Sequence, residues 1–176
     1  TMSQTVTIIG AGEIGRAIVK ILRRKQESKI YHWNRTPLPN QKPLSETIPL
    51  SDFLFLCIPS WAVRETLNKI NLHLGKETIV ISMAKGIEKD SLKTMAELLL
   101  ELLAKEQRFG LLAGSMIAEE LDQGLPGFGL VASPTKNVFP TIKSLFRKTN
   151  LHFSYTDDLR GAALGSVLKN IYAILI

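Results

Sequence analysis

Gly10-Ala11-Gly12-Glu13-Ile14-Gly15 follows the apolar run Val6-Thr7-Ile8-Ile9 and precedes a helical pattern. Strand, glycine-rich turn and helix in that order form the setting in which a chain holds the pyrophosphate of a dinucleotide. Each glycine has its own reason. Gly10 turns the chain tightly off the strand, Gly12 lets the backbone approach the phosphates with no Cβ in the way, and Gly15 lets the helix pack close to the strand. The phosphates then lie over Gly12, Glu13 and Ile14, where free N–H groups and the positive end of the helix dipole converge. A turn of this kind can also be simple geometry, but its context here predicts a bound NAD or NADP.

About 20 residues further on, an NAD-specific site usually places an Asp or Glu for the ribose hydroxyls. This chain has Asn34-Arg35-Thr36 instead. A guanidinium and a hydroxyl suit a 2′-phosphate, which favours NADP. Stacking of Arg35 on the adenine, or a solvated loop arginine, are the alternatives. Two more turns should open onto the same crevice: Pro59-Ser60-Trp61, with Pro59 facing the cofactor, and Met83-Ala84-Lys85-Gly86. Lys85 is either a surface lysine or a substrate contact, with Gly86 freeing its turn. The single cysteine, Cys57, lies inside Phe55-Leu56-Cys57-Ile58 and reads as a buried hydrophobe rather than a nucleophile or ligand. No metal site is expected.

The elements that must position these residues alternate. After the first strand, Ala17, Ile18, Ile21 and Leu22 recur at helical spacing, and Lys29-Ile30-Tyr31-His32-Trp33 reads as a second strand. Four prolines at 37, 39, 43 and 49 leave room only for a loop or a short turn. The runs 53–58 and 78–83 read as strands buried on both faces, and shorter strands are expected at 109–112, 129–132 and 151–154. Helices are expected over 61–74, 91–105 and 138–148. The resulting fold class is α/β: a doubly wound, mostly parallel Rossmann-type sheet with helices on both faces and ligands at the carboxyl ends of its strands.

With 176 residues, 45% of them hydrophobic, the chain can bury a real core. Its net charge of +6 invites a nucleic-acid reading, but Arg23-Arg24-Lys25 falls where the first helix should end and complements the helix dipole. Aromatic residues are only 7% and do not interleave with the basic ones, so no nucleic acid is expected. No apolar run reaches the ~18 residues of a membrane span. A cytoplasmic protein with no membrane partner is expected.

Taken together, VTIIGAGEIG, FLCIPSWAVRETL, VISMAKGIE, AGSMIAEEL, SYTDDLRG and ALGSVLKNIYAI resemble, in order and spacing, segments of the NAD(P)-dependent glycerol-3-phosphate dehydrogenases, across essentially the whole chain. The resemblance implies a dinucleotide-binding domain over 1–157 and, over 158–176, the first helix of an incomplete helical domain. It implies interconversion of glycerol 3-phosphate and dihydroxyacetone phosphate, so a small phosphorylated three-carbon substrate. Lys85, in the family's K-G-[IV]-E segment, would contact that substrate. Lys169, in L-K-N, would serve as acid/base with Asn170 beside it, and Ala118 and Glu120 would lie near the nicotinamide. Such chemistry suits lysine, because an ammonium whose pKa is lowered by desolvation and a second cation can both give and take the alcohol proton. Two converging lysines also suit a phosphate ester.

The sequence departs from the family at several points. Where the family shows G-P-S-F-A-x-E, this chain has Gly114-Ser115-Met116-Ile117-Ala118-Glu119-Glu120, and the family's glutamate shortly before L-K-N is Ala163 here. The sequence ends just after Lys169-Asn170, before the aspartate and the arginine–asparagine pair that the family uses to grip the phosphate. The 176 residues alone are therefore not expected to turn over substrate. The apolar last helix, with Val167, Leu168, Ile171, Ile174 and Leu175, is expected to drive self-association to a homodimer unless it folds back on its own sheet. Competing readings are another NADP-dependent reductase of the same two-domain plan, such as pyrroline-carboxylate or ketopantoate reductase, and a noncatalytic NAD(P)-binding module that docks through that helix. Lys85-Gly86 and Leu168-Lys169-Asn170 argue against the reductases.

Overall fold

The computed structural model describes residues 3–115 and 118–174; the side chains of Ser115, Ala118, Asp122 and residues 170–174 lie outside the described set. The first half of the chain runs β1 (Gln4–Ile9), α1 (Glu13–Lys25), β2 (Ser28–Trp33), α2 (Leu44–Thr47), β3 (Phe53–Leu56), α3 (Ser60–Ile70) and β4 (Ile79–Ser82). The second runs α4 (Met95–Leu102), β5 (Phe109–Ser115), α5 (Ala118–Asp122), β6 (Gly127–Ala132), α6 (Val138–Leu145), β7 (Leu151–Thr156) and α7 (Leu159–Ile174). The strands form one sheet in the order β2-β1-β3-β4-β5-β6-β7. From β1 the chain crosses first to β2 on one side and then to β3 on the other. That reversal opens the crevice in which a doubly wound sheet binds ligands, directly above Ile9 and Gly10.

Every strand pair is parallel except β5 with β6. The exception has a simple cause. Only residues 116–126 separate these two strands, whereas a parallel crossover needs about a dozen residues or more.

The sheet is covered on both faces, as its continuous apolar runs require. In β3, Phe53 and Phe55 join the core beneath α1 and α6, while Leu54 and Leu56 join the layer containing Val63, Leu67, Leu98 and Leu99. Burial of each such side chain is worth about 1.5–3 kcal/mol. α7 belongs to this second layer. Its Ala162 and Ala163 are buried with Leu98 and Leu99 of α4, so the described part of the helix folds back on its own sheet.

Several elements differ in length from expectation. The helix expected over 91–105 begins only at Met95, because Thr94 and Glu97 form a capping box: the Thr94 hydroxyl accepts from the Glu97 N–H (3.3 Å), and the Glu97 carboxylate accepts from the Thr94 N–H (2.9 Å). Residues 88–94 form a compact turn instead, closed by Glu88 N–H to the Lys93 carbonyl (2.9 Å), with Leu92 at φ +57°. The helices expected to end at 74 and 148 stop at Ile70 and Leu145, the first passing into a 3-10 turn, Asn71–His73. The strand expected over 109–112 runs on to Ser115. Among the described residues no helix is long and apolar enough to cross a membrane, and no group of three or more His, Cys, Asp or Glu is placed to hold a metal ion.

Candidate active site

The glycine turn sits at the head of β1, held between its neighbours. Gly10 N–H donates to the Trp33 carbonyl (2.8 Å), and Cys57 N–H donates to the Ile9 carbonyl (2.8 Å). Gly10 has φ +113°, and a Cβ there would lie 2.2 Å from the Cys57 carbonyl oxygen. A Cβ on Gly15 would lie 2.1 Å from the Gly10 carbonyl oxygen, so α1 can approach the strand only because both positions are glycine. Gly12 is different: nothing lies within 4 Å of where its Cβ would be. α1 begins there with no side-chain cap, at the end where a helix carries N–H groups without an intrahelical partner. These residues fit an anionic pyrophosphate.

Beside this turn is a cavity of about 370 Å³, bounded by Gly10, Trp33, Asn34, Arg35, Pro59 and Trp61, with Glu65 and Lys69 on its α3 wall. Asn34 ties its floor together. The Asn34 side-chain carbonyl accepts from the Ala11 N–H (3.3 Å), and its amide donates to the Thr36 carbonyl (3.0 Å). Arg35 is exposed, with its guanidinium 5.9 Å from the centroid of the Trp61 ring. Thr36 is exposed next to it. The carboxylate absent after β2 is approached from α3 by Glu65, which is already engaged by Lys69 at 2.6 Å.

The two lysines come from the middle and the end of the sequence and share one rim. Lys85 follows β4 on a turn that Gly86 completes at φ +118°, where a Cβ would lie 3.0 Å from the Ser60 hydroxyl oxygen. Lys169 reaches back from α7, its ammonium donating to the Gly114 carbonyl at the end of β5 (3.4 Å). Partial burial, and then the positive charge of Lys169, hold Lys85 below the ordinary lysine pKa. A second cavity, about 460 Å³, lies alongside Lys169 and is walled by Ala113, Gly114, Leu130, Thr156 and Ser166. Paired cations next to an open hollow at the carboxyl edge of the sheet can bind a phosphate ester and place an acid beside its carbonyl.

Other expected residues are not gathered here. Glu13 stands exposed in the first turn of α1, and Glu120 is exposed on α5, which packs on α1; no described contact joins Glu120 to the two lysines. The side chains of Ala118 and Asn170, together with Met116 and Ile117, lie outside the described residues, as do the side chains of Ile171 and Ile174 and the whole of Leu175. Cys57 is buried with its sulfur 3.6 Å from that of Met83, and burial pushes its thiol up to about 12. It is no nucleophile. Pro59 and Trp61, expected at the crevice from the sequence, line the cavity. Sequence reasoning missed Glu65 and Lys69 further along α3 and the ion pairs of Arg64, the latter signalled by nothing local.

The family model described as NAD-dependent glycerol-3-phosphate dehydrogenase N-terminus matches residues 34–139, which include Lys85 and much of the pocket wall but neither the glycine turn nor Lys169. The chain is similar to the NAD(P)+ glycerol-3-phosphate dehydrogenase of Syntrophotalea carbinolica, at 32% identity over 89% of this chain and 49% of that protein. It is similar to that of Fusobacterium nucleatum at 28%, over 96% of this chain and 58% of that one. It therefore spans about half the length of the curated relatives it matches. Among solved structures, a glycerol-3-phosphate dehydrogenase from Coxiella burnetii superposes with a TM-score of 0.85 at 21% identity, over 99% of this chain and 60% of that one. A pyrroline carboxylate reductase from Plasmodium falciparum with NADP bound reaches 0.72 at 14%, over 99% and 66%. The fold is thus common to both enzyme groups.

Proposed function

Since the chain belongs to the NAD-dependent glycerol-3-phosphate dehydrogenase family, we propose that residues 1–157 bind NAD or NADP with the pyrophosphate over Gly12, Glu13 and Ile14, and that Lys85 and Lys169 serve the reduction of dihydroxyacetone phosphate to glycerol 3-phosphate. The observation that carries this reading is the convergence of two lysines, 84 positions apart in sequence (169 − 85), on one rim of the sheet beside the crevice.

A bound nicotinamide supplies the hydride. The chain's own residues do the rest. Gly12 and the uncapped start of α1 orient the phosphates. The Lys85 ammonium attracts the substrate's phosphate, and the Lys169 ammonium gives its proton to the carbonyl oxygen as that oxygen becomes a hydroxyl; in the reverse direction the neutral amine takes the proton back. Asn170 neighbours the acid in sequence, and Ala118 and Glu120 belong to the nicotinamide side. The helix from 158 onward begins a second, helical domain.

NADP is the favoured cofactor in this reading. Asn34, Arg35 and Thr36 bring donors to the pocket mouth, and Glu65 is occupied by Lys69. Exposed Leu164 and Leu168 on α7 provide a surface for a homodimer. The setting is cytoplasmic, with neither nucleic acid nor membrane as a partner. Titration with NADH and NADPH, followed by nucleotide fluorescence, tests the core of the proposal. Saturable binding is expected, and its absence for both at millimolar concentration overturns it.

A further inference from the structure

α3 has two working flanks. Trp61 and Glu65 face the cavity beside the glycine turn. Ser60 and Arg64, one helical turn apart, face the turn that carries Lys85. Ser60 abuts Gly86. Arg64 meets Glu88 through two parallel contacts, Nε to Oε1 and Nη2 to Oε2, both 2.8 Å. The Ser91 hydroxyl donates to the same carboxylate, and Glu88 is only 7% exposed. On its far side Arg64 also contacts Glu101 of α4 (2.8 Å), which Lys93 holds at 2.6 Å.

The strands and helices around this network are already fixed by other means. β4 is paired on both edges, and α4 is anchored by Met95, Leu98 and Leu99 in the core. What remains to be fixed is the turn itself, which contains Gly86 at positive φ and Leu92 in the left-handed region. A bidentate guanidinium–carboxylate pair, here with the carboxylate buried and the arginine partly exposed, contributes direction as well as energy. It grips the turn three residues beyond Lys85.

We propose that the Arg64–Glu88 fork is a positioning device for Lys85: by fastening the 85–94 turn to α3, it sets the lysine ammonium at a fixed place beside Lys169, on the same helix whose other flank walls the cofactor cavity. The proposal rests on the assignment of Lys85 as the substrate contact. Arg64 and Glu88 touch no reacting group and act only through the turn.

Competitive acetylation of the protein at increasing alkaline pH, with each lysine read by mass spectrometry, reports the titration midpoint of Lys85. The double substitution Arg64→Gln with Glu88→Gln removes one positive and one negative charge together, so a change at Lys85 reports geometry and not net charge. The Lys85 midpoint is expected to rise toward the ordinary lysine value of about 10.4, with exposed Lys29 as an unmoved control. Arg64→Lys keeps the charge but loses the fork, and is expected to shift Lys85 in the same direction by less; it serves as the test if the double variant does not fold. An unchanged midpoint in a variant whose circular dichroism and buried Cys57 report a native fold overturns the proposal. A second arm keeps the two readings apart. Glycerol 3-phosphate with NADP+ should slow acetylation of Lys85 in catalytically competent protein and protect it less in the variants. Absence of protection in that protein removes the substrate role of Lys85, and with it the functional half of this proposal, while the midpoint still decides whether the fork holds the turn.

Discussion

Arg35 and Asn34 occupy the pocket mouth in ways that make different demands on a cofactor. Arg35 is exposed, with its guanidinium 5.9 Å from the Trp61 ring centroid, where a phosphate or a base could meet it. Arg35→Ala is therefore expected to weaken NADPH more than NADH by about 1.5–3 kcal/mol, the worth of a hydrogen bond to a charged group; equal losses in fluorescence titrations would show that Arg35 stacks on adenine instead. Asn34→Asp keeps the acceptor for the Ala11 N–H and loses the donor to the Thr36 carbonyl. It places a carboxylate where a 2′-phosphate would sit, so the ratio of the two dissociation constants should move toward NADH. At the other end of the site, Lys169→Ala is expected to lower turnover of dihydroxyacetone phosphate by about two to four powers of ten in catalytically competent protein while dinucleotide affinity is retained. Most of the activity surviving that change would remove Lys169 from the role of acid.

The turn-and-helix unit from Lys85 to Leu102 concentrates the charged contacts, and its energetics are open to measurement. Thr94→Ala removes the cap of α4 and should cost about 0.5–2 kcal/mol in urea denaturation; a loss near zero would mean that core packing alone holds the helix. Arg64 and then Lys93 hold the Glu101 carboxyl down at about 2, against an ordinary value of 4.5. A carboxyl whose pKa is lower in the folded protein contributes stability that is fully present above its unfolded pKa and is lost as pH falls through the folded one. The Arg64 cluster should thus persist to pH 4.5 and give way toward pH 2, and Glu101→Gln should flatten the fall in melting temperature across that window. An identical pH profile in the variant would contradict the assignment. The T-x-x-E of Thr94 to Glu97 stands in the sequence, yet apolar spacing alone starts the helix at 91. The earlier residues are drawn out of it by the contacts of Glu88 with Arg64 and Lys93, and Arg64 lies 24 positions away.

At the scale of the whole molecule, α7 folds back on the sheet through Ala162 and Ala163 and leaves Leu164 and Leu168 39% and 45% exposed. If that face joins two copies, Leu168→Asp should shift a dimer to monomer in light scattering at unchanged fold; a native protein that is monomeric at every concentration tested rejects the homodimer. The same helix shows where legibility ended. The glycine turn, the strands buried on both faces and the helical faces that cover them are legible along the chain, because steric freedom at Gly10 and Gly15 and the periods of burial are written within a few consecutive residues. Residue resemblance marked Lys85 and Lys169 and implied that they converge, but not which backbone groups hold them there. The reach of Glu65 and Lys69 along α3 to the cavity beside the glycine turn, the reach of Lys169 to Gly114 across 55 positions, and the grip of Arg64 on Glu88 exist only in the folded chain. Each of these joins residues far apart in the chain, and a contact of that kind leaves no local pattern, since its energy exists only once the sheet has brought the partners together.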